Sequence, residues 1–250
     1  MIALSLEFFK LRRKRIFLMI ILFLLAQMVW AFLSLSMSMS KNNIAHPQWE
    51  AVIAIVASMN GLFLPIISAI IVSRVCDMEH KGNTWKMIMT TNINRKQIYL
   101  AKYVCVLLLL LFYVILQTAL ITLFGLTNDF LSPAPLILLG QYILGTMITS
   151  TTIVALQQWV SLSLKNQAFA LCLGMVGGFI GMTADLFPAI IRQFFIWSYY
   201  TGLSPATYLF TEKAATYTTR PIDPLLLIIA LILTAILYAA GNWRISSKEV

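Results

Sequence analysis

The sequence predicts an all-α integral membrane protein with six transmembrane helices. Its 250 residues are 60% hydrophobic and only 11% charged, which is far from the composition of an ordinary soluble domain. Residues 16–35 form a run of twenty positions without a charge. A helix of that length, rising about 1.5 Å per residue, crosses the roughly 30 Å hydrocarbon core of a bilayer. Membrane lipid is therefore the expected surrounding of most of the chain.

The N-terminal segment, residues 1–15, is expected to be a basic helix at the membrane interface. It ends in the cluster Arg12, Arg13, Lys14 and Arg15. Its apolar residues form two stripes at helical spacing with Glu7 between them, so the sequence does not decide which face meets lipid. The apolar run that follows is longer than the roughly 7–15 residues of a secretory signal, and it is expected to be a retained first span.

Six uncharged runs of membrane length predict the six spans, which together make up residues 16–250. They are Ile16–Ser36, Ala51–Ser73, Tyr103–Thr127, Leu136–Leu164, Gln167–Ala184 and Pro224–Asn242. A further apolar stretch, residues 187–209, is interrupted by prolines, a glycine and an arginine and is rich in aromatic rings. Such rings favour the membrane–water interface. Residues 185–223 are therefore expected to be an interfacial segment with one or two short or re-entrant helices.

Lysine and arginine are distributed unequally between the two sides of this arrangement. Fourteen fall on the side that holds both termini, and four fall on the other: Lys41, Arg192, Lys213 and Arg220. The positive-inside rule then places both termini in the cytosol and the segment 185–223 on the extracellular side. This distribution also accounts for the net charge of +9, so no nucleic-acid partner is expected.

No catalytic or metal-binding motif is recognisable in the sequence. It lacks HExxH, GxSxG and Walker A patterns, and its three cysteines and two histidines do not have the spacing of metal ligands. Ionisable residues, which membrane enzymes and proton-coupled transporters keep inside their spans, are missing from the six runs. The sequence therefore predicts a protein without a catalytic site, cofactor or metal of its own.

Uncharged polar residues do occur within the spans. Asn60, Gln117, Gln141 and Gln157 are candidates for a path taken by an amphipathic substrate, and Trp197 is a candidate substrate contact where such a path ends. The alternative for the four amides is hydrogen bonding between neighbouring helices, and the alternative for Trp197 is an ordinary aromatic belt. The sequence leaves both interpretations open.

One substantial cytosolic connection, residues 74–102, is expected to be folded and packed rather than a flexible tether. Apolar residues such as Trp85, Ile88 and Tyr99 lie among its charges, whereas a flexible tether is rich in glycine and serine. Residues 84–90 suit a short helix along the cytosolic face, and residues 92–94 can cap a helix that starts near Arg95. A short helix of this kind offers a docking surface to a soluble partner.

The residues of this connection resemble those of a known family. The order Glu79-x-Lys81-Gly82-x-Thr84-Trp85-Lys86, followed by Thr90-Thr91-x-Ile93-x-Arg95-Lys96 and a helix into the third span, is similar to the cytosolic loop of ABC-2 type permeases. More narrowly, the chain is similar to the lantibiotic-protection permease subunits of Gram-positive bacteria. The likeness extends over the whole chain, including the basic N-terminal segment, the six spans and the short apolar helices between the fifth and sixth.

The resemblance implies one half of an ABC-2 type exporter in the bacterial cell membrane. Its substrates would be lantibiotic or bacteriocin-type peptides, and their removal would give immunity or resistance. Its partners would be a separate ATP-binding subunit, which holds ATP and Mg²⁺, and a second permease subunit, identical or paralogous. The residues that couple it to the ATPase would be Asp77, Glu79, Lys81, Gly82, Thr84, Trp85, Arg95 and Lys96. An ABC-2 exporter of another drug or a lipid, and a non-transporting scaffold or sensor, are the alternatives.

Overall fold

The computed structural model describes residues 2–12, 15–42, 48–81, 95–128, 130, 132–164, 166–211 and 214–246. Its helices follow one another along the chain, and two of them are single turns. They are α1 (Ile2–Arg12), α2 (Ile16–Asn42), α3 (Trp49–Lys81), α4 (Arg95–Thr127), α5 (Leu136–Ser163), α6 (Gln167–Thr183), α7 (Ala189–Arg192), α8 (Tyr199–Gly202) and α9 (Pro224–Ser246).

Among the described residues, six helices are long and apolar enough to cross a membrane, with mean hydropathy between 1.5 and 2.8. They are α2 to α6 and α9, so the predicted all-α architecture of six spans is confirmed. Helix α4 begins at Arg95, about two turns before the predicted uncharged run. The polar first turns of α4 and the apolar span that follows them form one continuous helix.

Helix α3 lies at the centre of the bundle. Of its span, 61% is buried within the protein, against 17% for α9, which lies at the periphery. Helices α2, α4, α5 and α6 all pack against α3. Buried apolar residues occur on every side of α3 from Ala51 to Val75, which is the pattern of a helix surrounded by other helices.

The two ends of the bundle differ in what they carry. The end that holds α1, the last turn of α3 and the first turn of α4 is called the basic end here. The opposite end, called the hairpin end, holds α7, α8 and a two-stranded antiparallel hairpin of β1 (Ala206–Thr211) and β2 (Ala214–Thr219). In this hairpin Ala206 lies opposite Thr219, and Tyr208 lies opposite Tyr217.

The hairpin is a difference from the sequence prediction, which expected only short helices between the fifth and sixth spans. Those helices are present, as α7, α8 and two 3-10 turns at 184–186 and 196–198. Threonine and tyrosine, which favour strands, supply most of β2. A strand of six residues, however, is too short to be told from a helical turn by periodicity alone.

Arg220 fastens the base of the hairpin. Its backbone N–H donates to the Pro205 carbonyl (2.8 Å), and its guanidinium donates to the carbonyls of Ser204 (Nε, 3.0 Å), Gly202 (Nη2, 2.8 Å) and Thr201. Burial lowers the pKa of this guanidinium, and the positive charge of Arg192 lowers it further. A single arginine therefore joins the end of β2 to α8.

Candidate functional site

A buried ion pair joins α1 to the bundle at the basic end. Glu7 is 3% exposed and Lys102 only 1%. The Lys102 Nζ donates to Glu7 Oε2 (3.0 Å) and to the Val75 carbonyl (3.1 Å), and Lys10 Nζ donates to Glu7 Oε1 (3.0 Å). Charges so far from water are tolerated only when they are paired and hydrogen-bonded. Three helices, α1, α3 and α4, therefore meet at one pair of charges.

The position of Glu7 answers a question that the sequence left open about α1. Glu7 lies between the two apolar stripes and turns toward α4, while Leu11, one turn further on, is fully buried. The polar residue thus marks the packed face of α1 rather than a face toward water. The placement of residues 1–15 at the membrane interface stays a prediction.

The predicted ATPase-coupling residues that the structure describes lie at the two helix ends that the connection joins, the end of α3 and the start of α4. Asp77, Glu79 and Lys81 lie in the final turns of α3, and Arg95 and Lys96 open α4. Gly82, Thr84 and Trp85 lie outside the described residues, as does the short helix expected at 84–90. The ion pair binds α3 at Val75 and α4 at Lys102, so it holds α1 against both helices that carry this connection.

A closed network of polar side chains lies between four helices in the interior of the bundle. Its five members are each at most 1% exposed: Gln27, Asn60, Tyr113, Gln117 and Tyr142. Asn60 is at its centre, because its Oδ1 accepts from Gln27 Nε2 (2.8 Å) and Gln117 Nε2 (3.0 Å) while its Nδ2 donates to the Tyr142 hydroxyl (2.7 Å).

Two tyrosine hydroxyls complete this network. Tyr113 donates to Gln27 Oε1, and Tyr142 donates to Gln117 Oε1 at 2.5 Å. The network spans α2, α3, α4 and α5, and every amide oxygen in it accepts at least one hydrogen bond. Such bonds between transmembrane helices contribute about 0.6–2 kcal/mol each.

The other predicted path residues lie apart from this network. Gln141 is partly exposed on α5, beside Tyr142 in the chain. Gln157 is buried against α6: with its amide turned to suit its neighbours, it donates to the Ala170 carbonyl (3.1 Å) and accepts from the Gly174 N–H (3.1 Å). The structure therefore joins Asn60 with Gln117 and leaves Gln141 and Gln157 elsewhere.

Trp197 packs against α6 one turn beyond Gly174. Its indole lies directly over Gly177, where any side chain would collide with the ring, and its buried Nε1 has no hydrogen-bond partner among the described residues. Gln157 and Trp197 thus both contact glycines of one helix. Whether either contacts a substrate stays a prediction.

Sequence reasoning missed three members of the network and both members of the ion pair. Gln27 is a single amide in a strongly apolar span of mean hydropathy 2.7, and Tyr113 and Tyr142 resemble ordinary membrane aromatics. The signal that could have found the network is the amides themselves, since a buried amide needs partners on neighbouring helices. No comparable signal joins Glu7 to Lys102, which is 95 positions away.

Replacing Asn60 by leucine is expected to destabilise the protein by about 1–3 kcal/mol, because Gln27, Gln117 and Tyr142 would lose their common partner inside the bundle. Thermal unfolding in one detergent would measure this. Gln97→Leu, at an exposed position near the start of α4, is the matched control and should change stability by no more than about 0.5 kcal/mol. Equal effects of the two substitutions would favour a hydrated path through Asn60 over helix packing.

A second polar cluster lies at the hairpin end. Asp185 accepts from Arg192 Nη1 on Oδ1 (2.9 Å) and from the Tyr208 hydroxyl on Oδ2 (2.8 Å). Burial and the carboxylate of Asp185 raise the pKa of Tyr208, so its hydroxyl stays protonated as a donor at physiological pH. The cluster ties the turn after α6 to α7 and to β1.

These features define a multi-pass membrane protein whose second and third spans are joined by a connection at the basic end. A family model described as "ABC-2 family transporter protein" matches residues 3–181, a range that covers that connection and α1 to α6 except for the first residue of α1 and the last two of α6. The chain therefore belongs to the ABC-2 transporter family and is a transmembrane transporter component. This family implies an ABC ATP-binding partner. No curated protein matches the chain.

Proposed function

We propose that this chain is one half of an ATP-driven exporter that removes lantibiotic or bacteriocin-type peptides from the membrane and so gives immunity or resistance. The observation that supports the exporter most is the family match over residues 3–181. It is strengthened by the order of residues from Glu79 to Lys96, which resembles the loop of lantibiotic-protection permeases. The chain itself hydrolyses nothing, and ATP and Mg²⁺ are held by the partner.

The basic end faces the cytosol in this proposal, and the ATP-binding subunit docks on the connection between α3 and α4. Fourteen lysines and arginines on that side support this orientation under the positive-inside rule. Because α3 lies at the centre of the bundle, a push on its last turn is passed to every helix packed around it. Helix α1 moves with α3 and α4, since the Glu7–Lys102 pair is bound to both.

A second permease subunit, identical or paralogous, completes the transporter. Membrane oligomers of this kind close through symmetric or nearly symmetric pairs, so six and six helices form the transport bundle. A peptide substrate is suited to such a bundle because the polar groups buried between its spans, apart from Lys102 at the basic end, are uncharged amides and hydroxyls. An amphipathic peptide that is taken sideways from the bilayer needs no charged, water-filled pore.

Glu79→Ala is expected to abolish protection while leaving the amount of protein in the membrane unchanged, since Glu79 lies at the root of the proposed docking connection. Survival of cells that express the chain with its ATP-binding and second permease subunits, exposed to a panel of lantibiotics, would measure this. Glu50→Ala is the matched control, because it removes the same charge from the opposite end of α3.

Two results of that assay would contradict parts of the proposal. Full protection by Glu79→Ala at normal expression would remove Glu79 from the coupling role. Protection against bacitracin by the unmodified chain, with no protection against any lantibiotic, would leave the exporter but overturn the substrate class.

A further inference from the structure

A cavity of about 380 Å³ opens at the hairpin end, between α7, α8, the residue after β2 and the start of α9. Its walls include two arginines, Arg192 and Arg220, one acid, Asp223, and the apolar side chain of Leu226. Pockets that bind small-molecule ligands commonly have volumes of about 300–1,000 Å³. Neither the transport path nor the coupling connection uses this cavity.

Each arginine is positioned by hydrogen bonds from part of its guanidinium group, and its remaining N–H donors are available to a ligand. Arg220 is bound through Nε and Nη2 to three backbone carbonyls, and Arg192 is bound through Nη1 to Asp185. Among the described residues, Arg220 Nη1 and the Nε and Nη2 of Arg192 have no hydrogen-bond partner. The two guanidinium groups are therefore fixed in place before any ligand arrives, which favours recognition of an oxyanion.

The charges around the cavity favour an anion of low charge. Asp185 already accepts on both oxygens, from Arg192 and Tyr208, and its charge offsets one of the two positive charges. Asp223 uses Oδ1 to accept the Leu225 N–H (2.9 Å) at the start of α9. Its carboxylate would repel a second negative charge, so a phosphodiester with one charge fits better than a free phosphate with nearly two.

An apolar surface of α9 begins beside the cavity, because Leu225 lies in the chain between the lining residues Asp223 and Leu226. Leu225, Ile228 and Ile232 of α9 are all more than half exposed and face outward from the bundle. In a membrane protein this surface meets acyl chains, and the polar cavity lies above it at the level of the headgroups. A cavity that offers arginine donors beside a lipid-facing helix favours a lipid ligand over a free ion.

We propose that this cavity binds the phosphodiester headgroup of a membrane phospholipid, with Arg192 and Arg220 as hydrogen-bond donors and the acyl chains along α9. The site is separate from the path of the exported peptide, and the proposal needs only the membrane location of the chain. Basic pockets at the ends of transmembrane helices are a general means of lipid headgroup recognition.

The test is lipid binding to the purified, delipidated protein with its natural partners, measured by native mass spectrometry and by a titration of tryptophan fluorescence. Dioctanoyl phosphatidylglycerol should bind, whereas dioctanoylglycerol, which has the same acyl chains without phosphate, should not. Arg192→Gln should weaken the phospholipid by about tenfold. Arg244→Gln, at an exposed position of the basic end, removes the same charge and should leave binding unchanged.

Competition with inorganic phosphate shows whether the ligand is a lipid headgroup or free phosphate. If it competes with the lipid at equal concentration and depends on Arg192 in the same way, the site is one for free phosphate and the lipid proposal is overturned. Equal binding of the two dioctanoyl compounds, or unchanged binding in Arg192→Gln, also overturns it. If Arg192→Gln fails to fold, binding of phosphatidylglycerol, dioctanoylglycerol and phosphate to the unmodified protein still shows whether the cavity is a phospholipid site.

Discussion

Lys102→Met is expected to destabilise the protein by about 3–5 kcal/mol, because it leaves the carboxylate of Glu7 buried without its main partner. Glu7 is 3% exposed, so water cannot replace the lost ammonium group. Methionine has nearly the volume of lysine, so the effect reports the charge rather than a cavity. Thermal unfolding of the chain in one detergent, at matched protein and lipid content, would measure it.

The control is a double-mutant cycle on the same pair. Glu7→Leu combined with Lys102→Met removes both charges, and its stability should lie close to that of the unmodified protein, because a well-packed apolar pair replaces a buried ion pair at little loss. Lys10→Gln should matter far less, since the Lys10 side chain is 37% exposed. A double variant as unstable as Lys102→Met alone would contradict the account of the ion pair.

Gly61→Ala is expected to destabilise the bundle by about 1–3 kcal/mol or more, because α3 and α6 touch through their backbones at this point. The Cβ of the new alanine would lie 2.6 Å from the Gly181 carbonyl oxygen, and a backbone atom cannot turn aside as a side chain can. The two helices would have to separate along their length. Chemical unfolding followed by circular dichroism would measure the loss.

Gly140→Ala makes the same change where nothing lies within 4 Å of the added methyl group. This helical position should therefore gain up to about 1 kcal/mol from the better helix propensity of alanine. The opposite signs expected at Gly61 and Gly140 separate close packing from a general need for glycine. Equal losses at the two positions would contradict the proposed contact between α3 and α6.

The spans could be predicted from the sequence because lipid imposes one requirement on every residue that meets it. The sixth span, for example, was expected at Pro224–Asn242 and is found at Pro224–Ser246, the difference being one last turn that contains Arg244. The hairpin could not be predicted in the same way. Residues 206–219 lie outside the six spans, so hydropathy does not constrain them, and their strands are set by pairing with each other.

Contacts between distant helices were the part that the sequence could not supply. Asn60 and Gln117 stand out as polar residues in apolar runs, but their meeting through Gln27, Tyr113 and Tyr142 depends on the order and rotation of four helices. The ion pair depends in the same way on the docking of α1.

The exporter is tested most directly by purifying the tagged chain from its native membranes in a mild detergent and identifying the proteins that accompany it by mass spectrometry. We expect an ATP-binding subunit in stoichiometric amount, together with a second permease subunit, and ATP hydrolysis by the complex. Recovery of the well-folded chain without any ATP-binding subunit would contradict the exporter and favour a membrane scaffold or sensor instead.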